Sequence, residues 1–118
     1  MISNYRVVHY QDRNGNDPIQ EFLDSLRIYP KDWAKVNDAI ARLEVVGLLL
    51  TKTNAAKPFD AQKHLYELKK GNYRVIFLAQ GNTFTLLHGF PKHQQKTPRE
   101  DKTIITSRLE HLLSEEKK

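Results

Sequence analysis

Two glycine–asparagine pairs, Gly71-Asn72 and Gly81-Asn82, separate three runs of β-forming residues in the second half of the chain. Such pairs favour tight hairpin turns because glycine and asparagine adopt positive φ angles at low cost. The runs extend over about His64 to Lys69, Tyr73 to Gln80 and Thr83 to Phe90. The sequence therefore predicts an antiparallel meander of three strands.

The first half of the chain predicts a strand followed by two helices. The residues from Tyr5 to Tyr10 alternate in the manner of a strand. Asp17, Pro18 and Gln20 supply an N-cap, a proline at the first helical position and a capping-box glutamine, and apolar residues follow at helical spacing. A second helix is expected over about Pro30 to Val46, after which a glycine favours its end. These two helices form a helical hairpin.

The last helix is predicted to start at Thr97-Pro98-Arg99-Glu100, which has the spacing of a capping box. Residues 51–62 are rich in turn formers, so we expect a mobile loop there, with Lys57 in it. The predicted order is βααβββα. The fold class is α+β, with a small antiparallel sheet, an N-terminal helical hairpin and a C-terminal helix in a single domain over residues 1–118.

Several classes of protein are excluded by composition. The chain has no cysteine, which excludes a thiolate nucleophile, a cysteine zinc site and a disulfide scaffold. No apolar run approaches the roughly 20 residues of a membrane span, and the N-terminus does not resemble a signal peptide. The histidines are scattered without metal-ligand spacing. We expect a soluble cytoplasmic protein with no membrane contact, no metal and no cofactor.

The net charge of +5 is concentrated in one third of the chain. Residues 61–99 contain seven Lys/Arg and one Asp/Glu, whereas the charges of the flanking segments nearly cancel. A basic block of this kind is typical of proteins that bind a polyanion or an acidic partner. The alternative is a solvated surface that keeps a small protein soluble.

Strand register predicts which of these charges lie together, provided that both turns are two-residue hairpins. Positions 69 and 67 then pair with 74 and 76, and positions 74 and 76 pair with 89 and 87. Glu67, Lys69 and Arg74 gather on one face, and Gly89 opposite Arg74 leaves room for a close approach. The other face is predicted to lie under the helical hairpin. It contains Tyr66, Leu68, Tyr73, Val75, Phe77, Phe84, Leu86, His88 and Phe90.

The stretch from His88 to Arg99 holds the densest set of chemically useful side chains. A phosphodiester site needs cations around the non-bridging oxygens and groups that accept and donate a proton. Arg74, Lys92 and Lys96 are candidates for the cations. His93, His88 or a lysine is a candidate for the proton transfer.

Each candidate also has a purely structural interpretation. Arg74 and Glu67 could form an ordinary cross-strand ion pair. His88 could be a hydrogen-bonded core histidine and Phe90 a core aromatic residue, and the two lysines could simply be solvated. Residue types alone do not separate these alternatives.

Four motifs stand out between Tyr66 and Pro98. They are Tyr66-Glu67-Leu68, Gly71-Asn72-Tyr73-Arg74-Val75, Leu86-Leu87-His88-Gly89-Phe90-x-Lys92 and Gln95-Lys96-Thr97-Pro98. Together they resemble the phage-derived, HigB-type branch of the RelE/ParE toxin superfamily, and the match covers most of the chain. The predicted element order agrees with that family.

The resemblance implies the toxin of a type II toxin–antitoxin pair. Such a toxin is a metal-independent endoribonuclease that cleaves messenger RNA on the ribosome and inhibits translation. The ribose 2′-hydroxyl attacks the adjacent phosphorus. A helix-turn-helix antitoxin from the same operon silences the toxin in a hetero-oligomer. The alternatives are a ParE-like toxin directed at gyrase and a binding module without catalysis.

The resemblance also implies residue roles. Arg74 contacts the scissile phosphate with help from Glu67, and Lys92 and Lys96 are the basic residues before the last helix. His93 stands where the family usually has a second lysine, so the acid and base stay unassigned among the candidates. We further predict substrate contacts from Lys57, Lys69, His88, Phe90 and Arg99.

Overall fold

A mixed five-stranded sheet and three α-helices form the α+β fold in the computed structural model, which describes residues 4–93 and 96–118. Gln95 of the family motif lies outside these residues. Short 3₁₀ turns cover Leu26–Ile28, Gly47–Lys52 and Ala61–Lys63. The main elements are β1 (Arg6–His9), α1 (Pro18–Ser25), α2 (Pro30–Val46), β2 (Ala56–Asp60), β3 (Leu65–Lys70), β4 (Tyr73–Gln80), β5 (Thr83–Pro91) and α3 (Arg99–Glu116).

The strands lie in the order β1-β5-β4-β3-β2. The predicted meander of β3, β4 and β5 is confirmed, with antiparallel pairing throughout. The sheet is not purely antiparallel, because β1 pairs with β5 in parallel.

The prediction of a loop over residues 51–62 is wrong. A 3₁₀ turn and the edge strand β2 occupy most of this segment, and β2 pairs with β3. The sequence of this segment resembles a loop because it contains Pro58 and other turn-forming residues. A bulge before Asp60 also interrupts the pairing of β2 with β3. A proline is tolerated in a strand at the sheet edge, where its missing N–H breaks no ladder.

Both helices of the hairpin start where the sequence places them. The Asp17 carboxylate accepts a hydrogen bond of 2.9 Å from the Gln20 backbone N–H, which confirms the N-cap of α1. The Gln20 side chain donates to Asp24 instead of closing a capping box. The helix α2 ends at Gly47, whose φ of 68° suits glycine.

The last helix begins slightly later than predicted. Pro98 has an extended ψ of 149° and acts as the N-cap without any side-chain hydrogen bond, so the capping box from Thr97 to Glu100 is not formed. The helix α3 starts at Arg99 instead.

The sheet separates two hydrophobic clusters. One lies between the sheet and the helices α1 and α2, and the other lies between the opposite face and α3. The α3 cluster contains Tyr10, Leu65, Ile76, Leu78, Leu87, Phe90, Ile105 and Leu109. The helix α3 therefore covers the face that carries Glu67 and Arg74.

A β-bulge at Leu87 changes the register of β5. Phe77 pairs with Leu86, but the next pair joins Ile76 to His88, so Leu87 is an extra residue. The predicted pairs of 74 with 89 and 76 with 87 are wrong, whereas those of 69 with 74 and 67 with 76 are confirmed.

The bulge moves every later side chain of β5 to the face opposite the predicted one. His88 and Phe90 lie under α3 and not under the helical hairpin. Gly89 pairs with Val75 and faces Phe22, whose ring would lie 2.3 Å from a Cβ at this position. The close approach at Gly89 is therefore made by Phe22 of α1 and not by a ligand beside Arg74.

Candidate functional site

A buried carboxylate ringed by three cations forms the centre of the candidate site. The Glu67 side chain is 1% exposed. Its oxygens lie 3.5 Å from Lys57 Nζ, 3.6 Å from Arg74 Nε and 3.5 Å from Lys92 Nζ. We call these four residues the Glu67 cluster. Its formal charge is +2, because one carboxylate faces three cations.

Three strands and the end of a fourth bring the cluster together. Lys57 of β2 is the direct cross-strand partner of Glu67 in β3. Arg74 of β4 lies diagonally opposite, two residues from Ile76, the pairing partner of Glu67. Lys92 follows β5, and its backbone N–H donates to the Asn72 carbonyl at 2.6 Å. Without the bulge, strand alternation would place Lys92 on the other face.

The Arg74 guanidinium is fixed by its own turn. Its Nη1 donates to the carbonyl oxygens of Gly71 and Tyr73, both at 2.8 Å. Its Nε faces Glu67 and has no hydrogen bond among the described residues. The side chain is 15% exposed. Arg74 is therefore held in one orientation before any ligand arrives.

A cleft of about 440 Å³ opens beside the Glu67 cluster. Glu67, Lys57 and Lys92 line its inner part, while Lys96 and Lys102 line it from the start of α3. Asp60 is the other carboxylate in the lining. Four lysines against two carboxylates give the cleft a net positive charge. Low-dielectric walls strengthen the attraction of such a cleft for an anion.

The predicted catalytic residues do not all reach this cleft. Lys96 lines it together with Lys92. His93 lies in a separate groove on the side of the helical hairpin, beside Lys35 and Tyr73. The structure thus brings Arg74, Lys92 and Lys96 to one end of the α3 face and leaves His93 on the other.

Two of the predicted substrate-binding residues lie at the margin of the site. Lys69 pairs with Arg74 across β3 and β4 and lines a depression toward α2. Arg99 is the first residue of α3 and lines a shallow depression with Lys102 and Thr103. Neither side chain is part of the Glu67 cluster.

His88 and Phe90 lie in the protein interior and attach α3 to the sheet. Phe90 is 3% exposed, and its ring stacks on His88 with 5.2 Å between centroids. His88 Nε2 bonds to Asp101 at 2.6 Å, and its Nδ1 lies 3.3 Å from Arg108 Nη1. These contacts agree with the structural interpretation of both residues. Neither ring presents a face on which a base could stack.

The buried His88 makes stability depend on pH. Burial lowers its pKa below the ordinary histidine value of 6.5, and the hydrogen bond to Asp101 opposes this only in part. The unfolded chain therefore binds the proton more readily, and the contribution of His88 should be lost as the pH falls below about 6.5. Urea unfolding should show a loss of stability toward pH 5 that is smaller in His88→Gln. An unchanged slope in the variant would contradict this assignment.

The sequence interpretation missed Lys102 and Thr106, which line the cleft from α3. Their spacing was a usable signal. They lie one helical turn apart, and Lys102 precedes the buried Ile105 by three residues, so both border the apolar stripe. Asp60 has no comparable signal in the sequence, because its strand was predicted as a loop.

A family model described as phage derived protein Gp49-like (DUF891) matches residues 21–110. The chain belongs to this family. The matched span includes the whole Glu67 cluster together with Lys96 and Lys102. A search of curated proteins finds no match for the chain.

Membership in the Gp49-like family agrees with a phage-derived, toxin-like protein. None of the helices within residues 4–93 and 96–118 has the length and hydropathy needed to cross a membrane. The same residues contain no group of histidine and acidic side chains suited to a metal ion.

Proposed function

We propose that this Gp49-like protein is the toxin of a type II toxin–antitoxin pair and that it cleaves messenger RNA on the ribosome. In this proposal it belongs to the HigB-type branch of the RelE/ParE superfamily. The observation that carries the proposal is the Glu67 cluster, in which Arg74 is held beside Glu67 and Lys92 lines a basic cleft. Fixed cations of this kind suit a phosphodiester, whose negative charge grows in the transition state.

The proposed reaction needs no metal. The ribose 2′-oxygen forms a bond to the adjacent phosphorus, and the bond from phosphorus to the 5′-oxygen breaks. The proton of the 2′-hydroxyl passes to a base, and an acid protonates the leaving 5′-oxygen. The products are a 2′,3′-cyclic phosphate and a free 5′-hydroxyl. Arg74 and Lys92 stabilise the charge on the phosphoryl oxygens.

The geometry narrows the choice of proton-transfer group. Lys96 lines the same cleft as Lys92, whereas His93 lines a groove on the other side of the sheet. We therefore assign a proton-transfer role to Lys96 and none to His93. The role assigned to Glu67 is to position the cations, since each of the three lies within 3.6 Å of it.

The proposed partners follow from the resemblance and from the basic cleft. They are messenger RNA in the ribosome and a helix-turn-helix antitoxin encoded beside the toxin, which silences it in a hetero-oligomer. Both partners place the proposed activity in the cytoplasm. The positive charge of the cleft supports the RNA part of this proposal.

The product ends test the proposal most directly. We expect induction of the chain in a bacterial host to stop growth within minutes and to create new 5′ ends in messenger RNA, in phase with codons. These ends should carry hydroxyl groups, so they should accept an adaptor only after treatment with a kinase. Ends that ligate without the kinase would carry phosphates and would contradict attack by the 2′-hydroxyl.

Other outcomes of the induction experiment point to the alternatives. Growth arrest with intact messages and damaged DNA would favour a gyrase-directed toxin. The tip of the helical hairpin offers a surface for such a target, because Ile28 and Tyr29 are 76% and 57% exposed. The absence of growth arrest would favour a binding module without catalysis.

A further inference from the structure

A second basic groove runs between α2 and the turn that joins β3 to β4. Two depressions of about 330 and 490 Å³ meet at Lys70 and Gly71 in that turn. The wall formed by α2 consists of side chains about one helical turn apart, which are Asp32, Lys35, Asp38 and Arg42. Ten residues of helix rise by about 15 Å, so the groove is long enough for an extended ligand.

Cations outnumber carboxylates in the lining of this groove, which has Lys35, Arg42, Lys69 and Lys70 against Asp32 and Asp38. Within residues 4–93 and 96–118, Lys35, Arg42 and Lys70 have no carboxylate at ion-pair distance. The Asp32 carboxylate accepts a hydrogen bond of 3.0 Å from the Tyr73 hydroxyl and so has a partner within the fold. Four cations against two carboxylates leave the groove with a net positive charge.

The groove and the cleft of the Glu67 cluster lie on opposite sides of the sheet and come closest at the end of β5. Two successive residues after β5 line the two sites: Lys92 lines the cleft, and His93 lines the groove. The turn between them also fixes the Arg74 guanidinium through the Gly71 carbonyl. A chain molecule that leaves the cleft past Lys92 can cross the end of the sheet at this turn and enter the groove.

We infer that the groove between α2 and the β3–β4 turn binds an RNA phosphodiester backbone. This inference rests on the proposed function, because it places RNA in the adjoining cleft. The backbone belongs either to the same strand that enters the cleft or to ribosomal RNA beside the bound toxin. Both sources present the same chemistry, a row of phosphates that contacts Lys35, Arg42 and Lys70.

The lining favours RNA over an acidic protein segment. A protein segment needs an apolar anchor for stable docking. Leu50 and Leu68 in the groove are 1% and 2% exposed, so they offer almost no surface. The large exposed hydrophobic residues of the described chain lie outside the groove. Salt-dependent contacts to phosphates remain as the main source of affinity.

The test is a double charge reversal, Lys35→Glu with Lys70→Glu. Lys31→Glu with Lys117→Glu is the matched control, because it changes the net charge equally at exposed positions outside the groove. The probes are 2′-O-methyl RNA strands of about 3 and about 12 nucleotides and purified ribosomal subunits. The 2′-O-methyl groups block the proposed attack, so binding is measured without cleavage. Affinity is measured by fluorescence anisotropy over a range of salt concentrations.

We expect the groove variant to bind the long strand about tenfold more weakly than wild type, and the short strand about equally. Its plot of log affinity against log salt should flatten by about 1.4 for the long strand, since each lost phosphate contact on a single strand removes about 0.7. The control should stay within about twofold of wild type. A tenfold loss seen only with ribosomal subunits would support the inference with ribosomal RNA as the source.

Three results would overturn the inference. The first is an equal loss of RNA affinity in the control variant, which would show that net charge alone explains the effect. The second is unchanged affinity of the groove variant for all RNA probes. The third is loss of binding to a polyglutamate peptide while RNA binding persists. If the groove variant loses RNA affinity but wild type yields no new 5′-hydroxyl ends, the inference that the groove binds RNA is supported and the proposed nuclease function is wrong.

Discussion

Replacing Glu67 by glutamine should lower the free energy of unfolding by about 3–5 kcal/mol. The substitution keeps the shape of the side chain and removes its charge. Lys92 is 6% exposed and Arg74 is 15% exposed, so both cations would stay out of water without a compensating carboxylate. A buried charge that loses its partner is strongly destabilising. Urea unfolding followed by circular dichroism measures the change.

Two further variants test the cause of this loss. Glu110→Gln is the matched control, because Glu110 is exposed on α3 and should cost little. Adding Lys92→Met to Glu67→Gln removes one of the stranded cations and should recover part of the stability. A loss in Glu67→Gln no larger than that in Glu110→Gln would show that the three cations do not depend on the carboxylate.

The elements of the fold were predictable where local chemistry decides them. Asp17 caps the start of α1, and the glycine after α2 ends that helix. Both signals act on residues only a few positions away in the chain. The turn at Gly81-Asn82 likewise fixes the first pairs of β4 with β5. In each case the interactions that determine the structure lie close together in the chain.

The register beyond the bulge was not predictable in the same way. An extra residue at Leu87 follows no local signal, because leucine fits a regular strand equally well. What favours the bulge is tertiary packing, because it places His88 and Phe90 under α3 and leaves the small Gly89 against Phe22. One extra residue exchanges the two faces, so the predicted surroundings of His88, Gly89 and Phe90 were wrong.

The candidate site was predicted in part for the same reason. The pairing of Glu67 and Arg74 on one face depends on the hairpin between β3 and β4, which has no bulge. Lys57 was placed in a loop, and its approach to Glu67 becomes visible only once β2 is seen to pair with β3. Lys96 lines the cleft and His93 does not. This difference could be seen only from the side of the sheet on which each residue lies.

In the proposed reaction, replacing Arg74 by alanine should reduce the rate of messenger RNA cleavage by about 10²–10³-fold, the usual cost of removing one fixed donor to a developing anion. Folding should suffer much less, because Glu67 keeps Lys57 and Lys92 as partners within 3.5 Å. Arg74→Lys should recover little of the rate, since a flexible ammonium group lacks the planar guanidinium that bonds the Gly71 and Tyr73 carbonyls and keeps a further N–H group for phosphate.

This separation of activity from stability distinguishes a catalytic arginine from a structural one. Arg6→Ala is the matched control, because Arg6 is an exposed arginine on β1, far along the sheet from β3. Initial cleavage rates on programmed ribosomes and urea unfolding of the same samples give the two measurements. An Arg74→Ala variant that cleaves within about tenfold of wild type would remove Arg74 from the reaction. A variant that loses activity and stability in equal measure would make Arg74 a structural partner of Glu67, as the cross-strand ion pair alone would suggest.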